Sequence, residues 1–270
     1  MVVLAAAVVP HPPLLVPDLA AGAADLVAPL LVACDRVVAG LLARSPRAVV
    51  LFGSGRQTRA HRGGHTGTLA GFGAPWRSMD PVAPRLGGSA APVVGSAHAV
   101  GVLPAPDTRA VDAAGLPLSL AIGRWLVGRA GWTEADGSLL LQELAVDAPT
   151  EQCVRLGTEL AAQAGPDSVW LALGDGSTRR GPRSPGHDDP RAAGFDAAAV
   201  AAFAAGDPAA LLALDPQLAA ELGAAGRPVW QALAAAVAAD PGWPGIDARV
   251  HYDDAPFGVE YLVADWQPRR

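Results

Sequence analysis

Lysine is missing altogether. All 20 basic side chains are arginine, set against 26 aspartates and glutamates, for a formal net charge of -6. A mildly acidic chain with scattered arginines lacks the clustered positive face that a phosphate backbone requires, so neither nucleic acid nor a membrane is an expected partner. Cysteine is scarce: Cys34 and Cys153 are the only two, with no paired spacing. Both fall in stretches that read as amphipathic helix and are expected to be small core residues, not a disulfide, metal ligands or nucleophiles. Long apolar runs are absent too. The longest uncharged stretch, Leu86 to Pro106, is broken by glycine, proline and serine, which excludes a spanning helix there. No P-loop and no G-x-G-x-x-G follows any candidate strand, so nucleotide binding finds no support.

What is there is a chain of 270 residues, enough to bury a large core without staples, and neither an internal repeat nor a break in composition divides it. A single domain over 1–270 is expected. The apolar start, Met1 to Val9, carries no basic residue and runs directly into Pro10-His11-Pro12-Pro13. It reads as a buried first strand rather than a leader peptide, and the chain is expected to be cytoplasmic. A helix is predicted from an Asp18 cap to about Arg44, kinked near Pro29, followed by a second buried strand at Ala48 to Gly53. Strand, helix, strand is the βαβ order that places ligands at the carboxyl edge of a sheet. Ser54 to Pro92, rich in Gly, Arg, His and Pro, reads as a long loop over the pocket.

Further strands are expected at Ala91 to Leu103, Leu139 to Val146 and Ser168 to Gly174, and helices at Pro117 to Arg129 and, capped by Thr150, up to Ala164. After Pro190 the pattern turns helical, with Asp207-Pro208 and Asp215-Pro216 as two capped starts. Ile246 to Tyr252 and Gly258 to Trp266 read as a closing strand pair. The fold class is therefore α/β: a mixed, mostly parallel central sheet flanked by helices.

Candidate chemistry gathers just past the strand ends. His11 follows the first strand between prolines that fix its backbone, well placed for a metal or a polar ligand. His61 and His65 lie past the second strand near Arg56, with Gly63 and Gly64 between them opposing a shared helical turn. His98 reads as a structural histidine. The densest polar stretch runs from Gly174 to Arg191: Asp175, Ser177 and Thr178 offer polar groups, Arg179 and Arg180 are suited to clamping an anion, and His187 follows. Glu260 sits among apolar neighbours in the closing pair, either facing outward or placed in the pocket.

Several segments together resemble a known group: Val8 to Pro17 around His11, Gly67 to Gly73, Gly174 to Arg180, Asp189 to Ala192 with Phe195-Asp196, and Ala255 to Val259. They are similar, from end to end, to actinobacterial proteins classed with the class III extradiol ring-cleavage dioxygenases of the protocatechuate 4,5-dioxygenase beta type, in a superfamily shared with the Memo proteins. The resemblance implies a mixed sheet flanked by helices and, in active members, a non-haem Fe(II) held by two histidines and a glutamate that leave positions open for a catecholate and dioxygen. Carried onto this chain, His11 matches the first metal histidine and Glu260 lies in the region of the carboxylate. Gly53-Ser54-Gly55 stands where the second histidine is expected, so His61 would reach back from the loop; Ser177 stands where the acid/base histidine is expected, and His187, further along, would take that role.

Three functions stay open at this point. The first is an iron-dependent, or other divalent-metal-dependent, dioxygenase acting on a catechol-like substrate through His11, His61, Glu260 and His187. The second is a descendant without a metal cofactor that binds or transforms an anionic small molecule through Arg56, Arg179, Arg180 and Asp175 with His11. The third is a non-catalytic interaction protein. A homo-oligomer is compatible with any of them.

Overall fold

The structure, a computed structural model, describes residues 3–61, 115–133 and 135–269. The chain opens with β1 (Val3–Val9), then α1 (Pro17–Ala20) and α2 (Ala24–Leu42), then β2 (Ala48–Gly55) and β3 (Arg59–His61). It continues with α3 (Leu118–Arg129), β4 (Ser138–Ala145), α4 (Thr150–Ala164) and β5 (Ser168–Leu173). A run of helices follows: α5 (Arg191–Ala205), α6 (Pro208–Leu212), α7 (Pro216–Leu222) and α8 (Arg227–Ala238). The antiparallel pair β6 (Ile246–Asp254) and β7 (Tyr261–Pro268) closes it.

The seven strands among the described residues join one sheet in the order β3-β4-β2-β5-β1-β7-β6. The centre is parallel, with β2 between β4 and β5 and β1 beside β5, while β7 and β3 run antiparallel to their inner neighbours. This is the mixed, mostly parallel α/β architecture expected. The unbroken apolar character of Val3–Val9 and Ser168–Leu173 follows from burial on both faces. Alternate residues serve two cores. Val9, Leu51 and Leu171 pack with Leu30, Cys34, Ile122 and Leu126 of α2 and α3. Val8, Phe52 and Trp170 pack with Phe203, Trp230 and Trp266 on the side of α4, α5 and α8. On that second side Phe52 and Trp170 lie with ring centroids 4.8 Å apart, and Phe203 meets the Trp230 ring edge-on at 5.8 Å.

Asp207 accepts from Ala210 N, and Asp215 from Gln217 N and Leu218 N, so both Asp-Pro starts are capped as expected. Both cysteines are buried and free. Three expectations shift. The first long helix is interrupted by a 3-10 turn at Ala21–Ala23, ahead of Pro29, and Asp18 lies inside α1 instead of capping it. Thr150 is the first residue of α4 and its hydroxyl turns to Gln231 Oε1 (3.2 Å), so it does not cap that helix. Part of the predicted loop after β2 is a strand, β3. The strand expected at Ala91 to Leu103 lies outside the described residues. Among the described residues no helix is long and apolar enough to cross a membrane.

At one end of the strand order β6 carries a bulge between Val250 and Tyr252. There His251 Nε2 meets the Asp265 carboxylate of β7.

Two helices come closest at Gly157 of α4, where an added Cβ would overlap Ala232 O of α8. Two backbones cannot make room there by rotating a side chain. Gly157→Ala is expected to destabilise the fold by about 1–3 kcal/mol, seen as a lower denaturation midpoint with an unchanged denaturant slope.

Candidate functional site

Strands β1, β2, β4 and β5 end on one edge of the sheet, and the antiparallel β7 begins there. Ligands of open α/β sheets settle outside that edge. The turn after β5 is laced to its neighbours: Gly174 N donates to Val9 O (3.1 Å), Gly176 N to Glu260 O (2.9 Å), Glu260 N to Ser177 O (2.9 Å) and Arg180 N to Gly258 O (3.0 Å). Close approach explains the glycine at 176, where a Cβ would lie 2.6 Å from Glu260 Cβ and 2.9 Å from Asp196 Oδ1. Two polar clusters grow from this turn.

The first joins β1 to β5. Asp175 Oδ1 accepts from the His11 backbone N–H (2.8 Å) and stands 3.4 Å from His11 Nδ1. The ring is mostly enclosed, and Nδ1 is buried with no hydrogen-bond partner. Burial raises the Cys34 thiol and the Tyr261 phenol on the α2 side above their ordinary ranges, and the charges of Asp35 and Asp175 add to it at Cys34 and that of Asp175 at Tyr261.

The second cluster lies on the opposite side. Ser177 N and Oγ both donate to Asp196 of α5, at 2.8 and 2.5 Å. Arg180 Nη1 donates to Glu260 Oε2 (2.7 Å) and lies 3.5 Å from Asp196 Oδ2. Two buried carboxylates thus share one guanidinium. Burial raises Asp196 despite Ser177 and Arg180. Burial, followed by hydrogen bonding to Asp253 and repulsion from Asp196, pushes Glu260 up to about 9, so at neutral pH it holds its proton. Its second oxygen, Oε1, is buried and accepts no N–H.

Strand alternation explains the division. Val9 and Ala7 face the core formed with α2 and α3, and continuing β1 sends His11 that way. Leu262 and Ala264 face the core formed with α5 and α8, and continuing β7 backwards sends Glu260 there.

The remaining predicted residues fall elsewhere. His61 sits on β3, four strands from β1 and so roughly 19 Å away at about 4.8 Å per strand. Its Nε2 is 2.8 Å from Glu143 Oε2, which also accepts from Arg59 Nε (3.1 Å), while Glu143 Oε1 accepts from Arg56 N (2.9 Å) and Gln57 N (3.2 Å). Arg56 therefore enters through its backbone at the β4 end of the sheet, with its side chain exposed. Arg179 Nη1 donates to the His187 carbonyl (3.4 Å), and Arg179 Nε is buried without a partner. His187 is exposed and its carbonyl, not its imidazole, makes that contact. Ser177 is fully buried and directed at a carboxylate, which is a structural arrangement and not that of an activated nucleophile. His65, His98 and the Gly67 to Gly73 stretch lie outside the described residues.

The Fe(II) implied by the resemblance can be tested against these atoms. His11 Nδ1 makes no hydrogen bond, but Glu260 favours its proton, interacts with Asp253 and lies against a guanidinium, and His61 is held by Glu143. His11, His61 and Glu260 do not come together, and among the described residues no three His, Cys, Asp or Glu side chains are arranged to hold a metal. Sequence reasoning missed Glu143, Asp196 and Asp253 as site residues. The signal for the first two was available: each is a lone carboxylate in an otherwise apolar element, Ser-Leu-Leu-Leu-Gln-Glu-Leu-Ala in β4 and the alanine-rich α5.

No protein-family model matches this chain, and no curated protein matches it. Among solved structures it is similar to an uncharacterized protein from Escherichia coli K12, with 14% identity over 98% of this chain and 99% of that chain and a TM-score of 0.46. At that level of likeness the site rests on its own residues.

Glu260 gives the site a pH signature. Its folded pKa, about 9, lies above the ordinary 4.5, so between those values the native state keeps a proton that the unfolded chain has lost. Stability from this group is full below about 4.5 and declines as pH rises towards 9. Glu260→Gln, neutral at every pH, is expected to flatten that decline in denaturation curves recorded across the window; an unchanged slope would assign it to other groups.

Proposed function

We propose that this chain is a member of the class III extradiol dioxygenase-like group that binds a small hydroxylated, phenol-like molecule at His11, without the two-histidine, one-glutamate iron centre of ring-cleaving members. One observation carries the reading: of the three side chains that would make that centre, two are already hydrogen-bonded, His61 to Glu143 and Glu260 to Arg180, while His11 Nδ1 at the carboxyl edge, 3.4 Å from Asp175 Oδ1, makes no hydrogen bond. A ligand hydroxyl supplies the missing hydrogen bond, and an unmade bond at a buried polar atom costs about 1–3 kcal/mol. Asp175 holds the His11 backbone, and the Gly174 turn holds Asp175, so the imidazole presents a fixed edge to the ligand. The arginine-anchored anion reading has less support, because Arg180 already donates to Glu260 and lies 3.5 Å from Asp196, and Arg179 donates to the His187 carbonyl.

The test is a binding titration with a panel of phenols, catechols and aliphatic anions, run with and without a chelator. Phenol-type binding that survives the chelator and weakens about tenfold or more in His11→Ala is the expected result. Anaerobic uptake of one equivalent of Fe(II), followed by chelator-sensitive oxygen consumption with a catechol, would overturn the proposal and return the chain to the ring-cleaving enzymes.

A further inference from the structure

The solvent face of α2 does not look like that of an ordinary surface helix. Over 19 residues the helix carries three charged side chains, Asp25, Asp35 and Arg36. Asp35 is taken by a bidentate pair with Arg129 of α3. Asp25 and Arg36 make no ion pair or hydrogen bond through their side chains among the described residues. Between them the exposed surface is apolar, with Leu26 59% and Val32 55% exposed, the two most exposed large hydrophobic side chains among the described residues, and Ala28 and Pro29 beside them.

The spacing makes this face complementary to itself. Asp25 and Arg36 are eleven residues apart, three helical turns, so they lie on one stripe about 16 Å from end to end with Val32 on the same line. A twofold axis across the helix between Leu30 and Leu31 pairs each position with its mirror: Asp25 faces Arg36 of the partner subunit, and Val32 faces Pro29 of the partner subunit. An isologous contact requires this reciprocity, in which one surface is its own complement. The same two charges would repel in a parallel arrangement, where aspartate meets aspartate, so they select the antiparallel one.

We propose that α2 is the surface through which two copies of this chain associate, antiparallel about a twofold axis, with Pro29 and Val32 at the centre and an Asp25–Arg36 pair beside Leu26 at each end. This goes beyond the ligand site at His11 and is independent of it. With one helix from each copy as its centre, the contact belongs to the small class and its affinity is on the order of micromolar.

Sedimentation velocity on the full chain over a range of concentrations reads the result. The expected outcome is a reversible monomer–dimer equilibrium that Val32→Asp abolishes, with Leu26→Glu as a second variant in case the first perturbs the helix; both positions are exposed, and circular dichroism checks the fold. Asp25→Arg and Arg36→Asp should each weaken the dimer at least about tenfold, and the double exchange, which restores opposite charges across the axis, should return it to near the original affinity. A chain that stays monomeric at every concentration, a dimer untouched by both apolar variants, or a double exchange that recovers nothing would each overturn the proposal; the first would leave the face to a partner of different sequence.

Discussion

The turn that follows β5 is the constraint on which the rest of the carboxyl edge depends. It is stitched by backbone bonds to the end of β1 on one side and to the approach to β7 on the other. Those bonds fix where Asp175, Ser177 and Arg180 begin, and the side chains follow. Asp175 leans towards His11, Ser177 inserts under Asp196, and Arg180 folds back over Glu260. Glycine at 176 lets a backbone, a carboxylate from α5 and a carboxyl group from the β7 approach occupy nearly the same space. A side chain there would push the second cluster apart before any ligand arrived.

The clusters differ in electrostatic logic. Around Glu143 every acceptor position is matched by an N–H or a cation, so the carboxylate, only 3% exposed, acts as a rivet at the start of the segment leaving β3. Around Arg180 the acids outnumber the base, and the surplus is relieved by a proton on Glu260. At His11 a polar atom stays without a partner. Unmade bonds occur elsewhere, at Arg179 Nε among others, and what sets His11 apart is its place at the end of β1 on the edge where ligands of such sheets settle.

Much of the fold was legible because its signals are local. Continuous apolar runs mark the buried parallel strands, and the Asp-Pro pairs mark α6 and α7, since a cap and its helix start are set within four residues. The three-residue β3 was not legible: Arg-Ala-His has no strand pattern and is held in the sheet by Glu143, more than eighty positions later in the chain. The site was legible in part. That His11, Asp175 and Glu260 stand near one edge follows from the strand order, but their division between two faces depends on the register of β7 against β1, which only the paired strands fix. Asp196 stands out in the sequence as the one carboxylate of α5, but its partners Ser177 and Arg180 follow only from the packing of α5 under the Gly174 turn.

Among the described strands β6 closes one side of the sheet, and that limits how this molecule can meet its neighbours there. The bulge at His251 turns successive outward groups of β6 out of line. Addition of a foreign strand along β6 is thereby disfavoured, because a template must offer its N–H and C=O groups in one regular row.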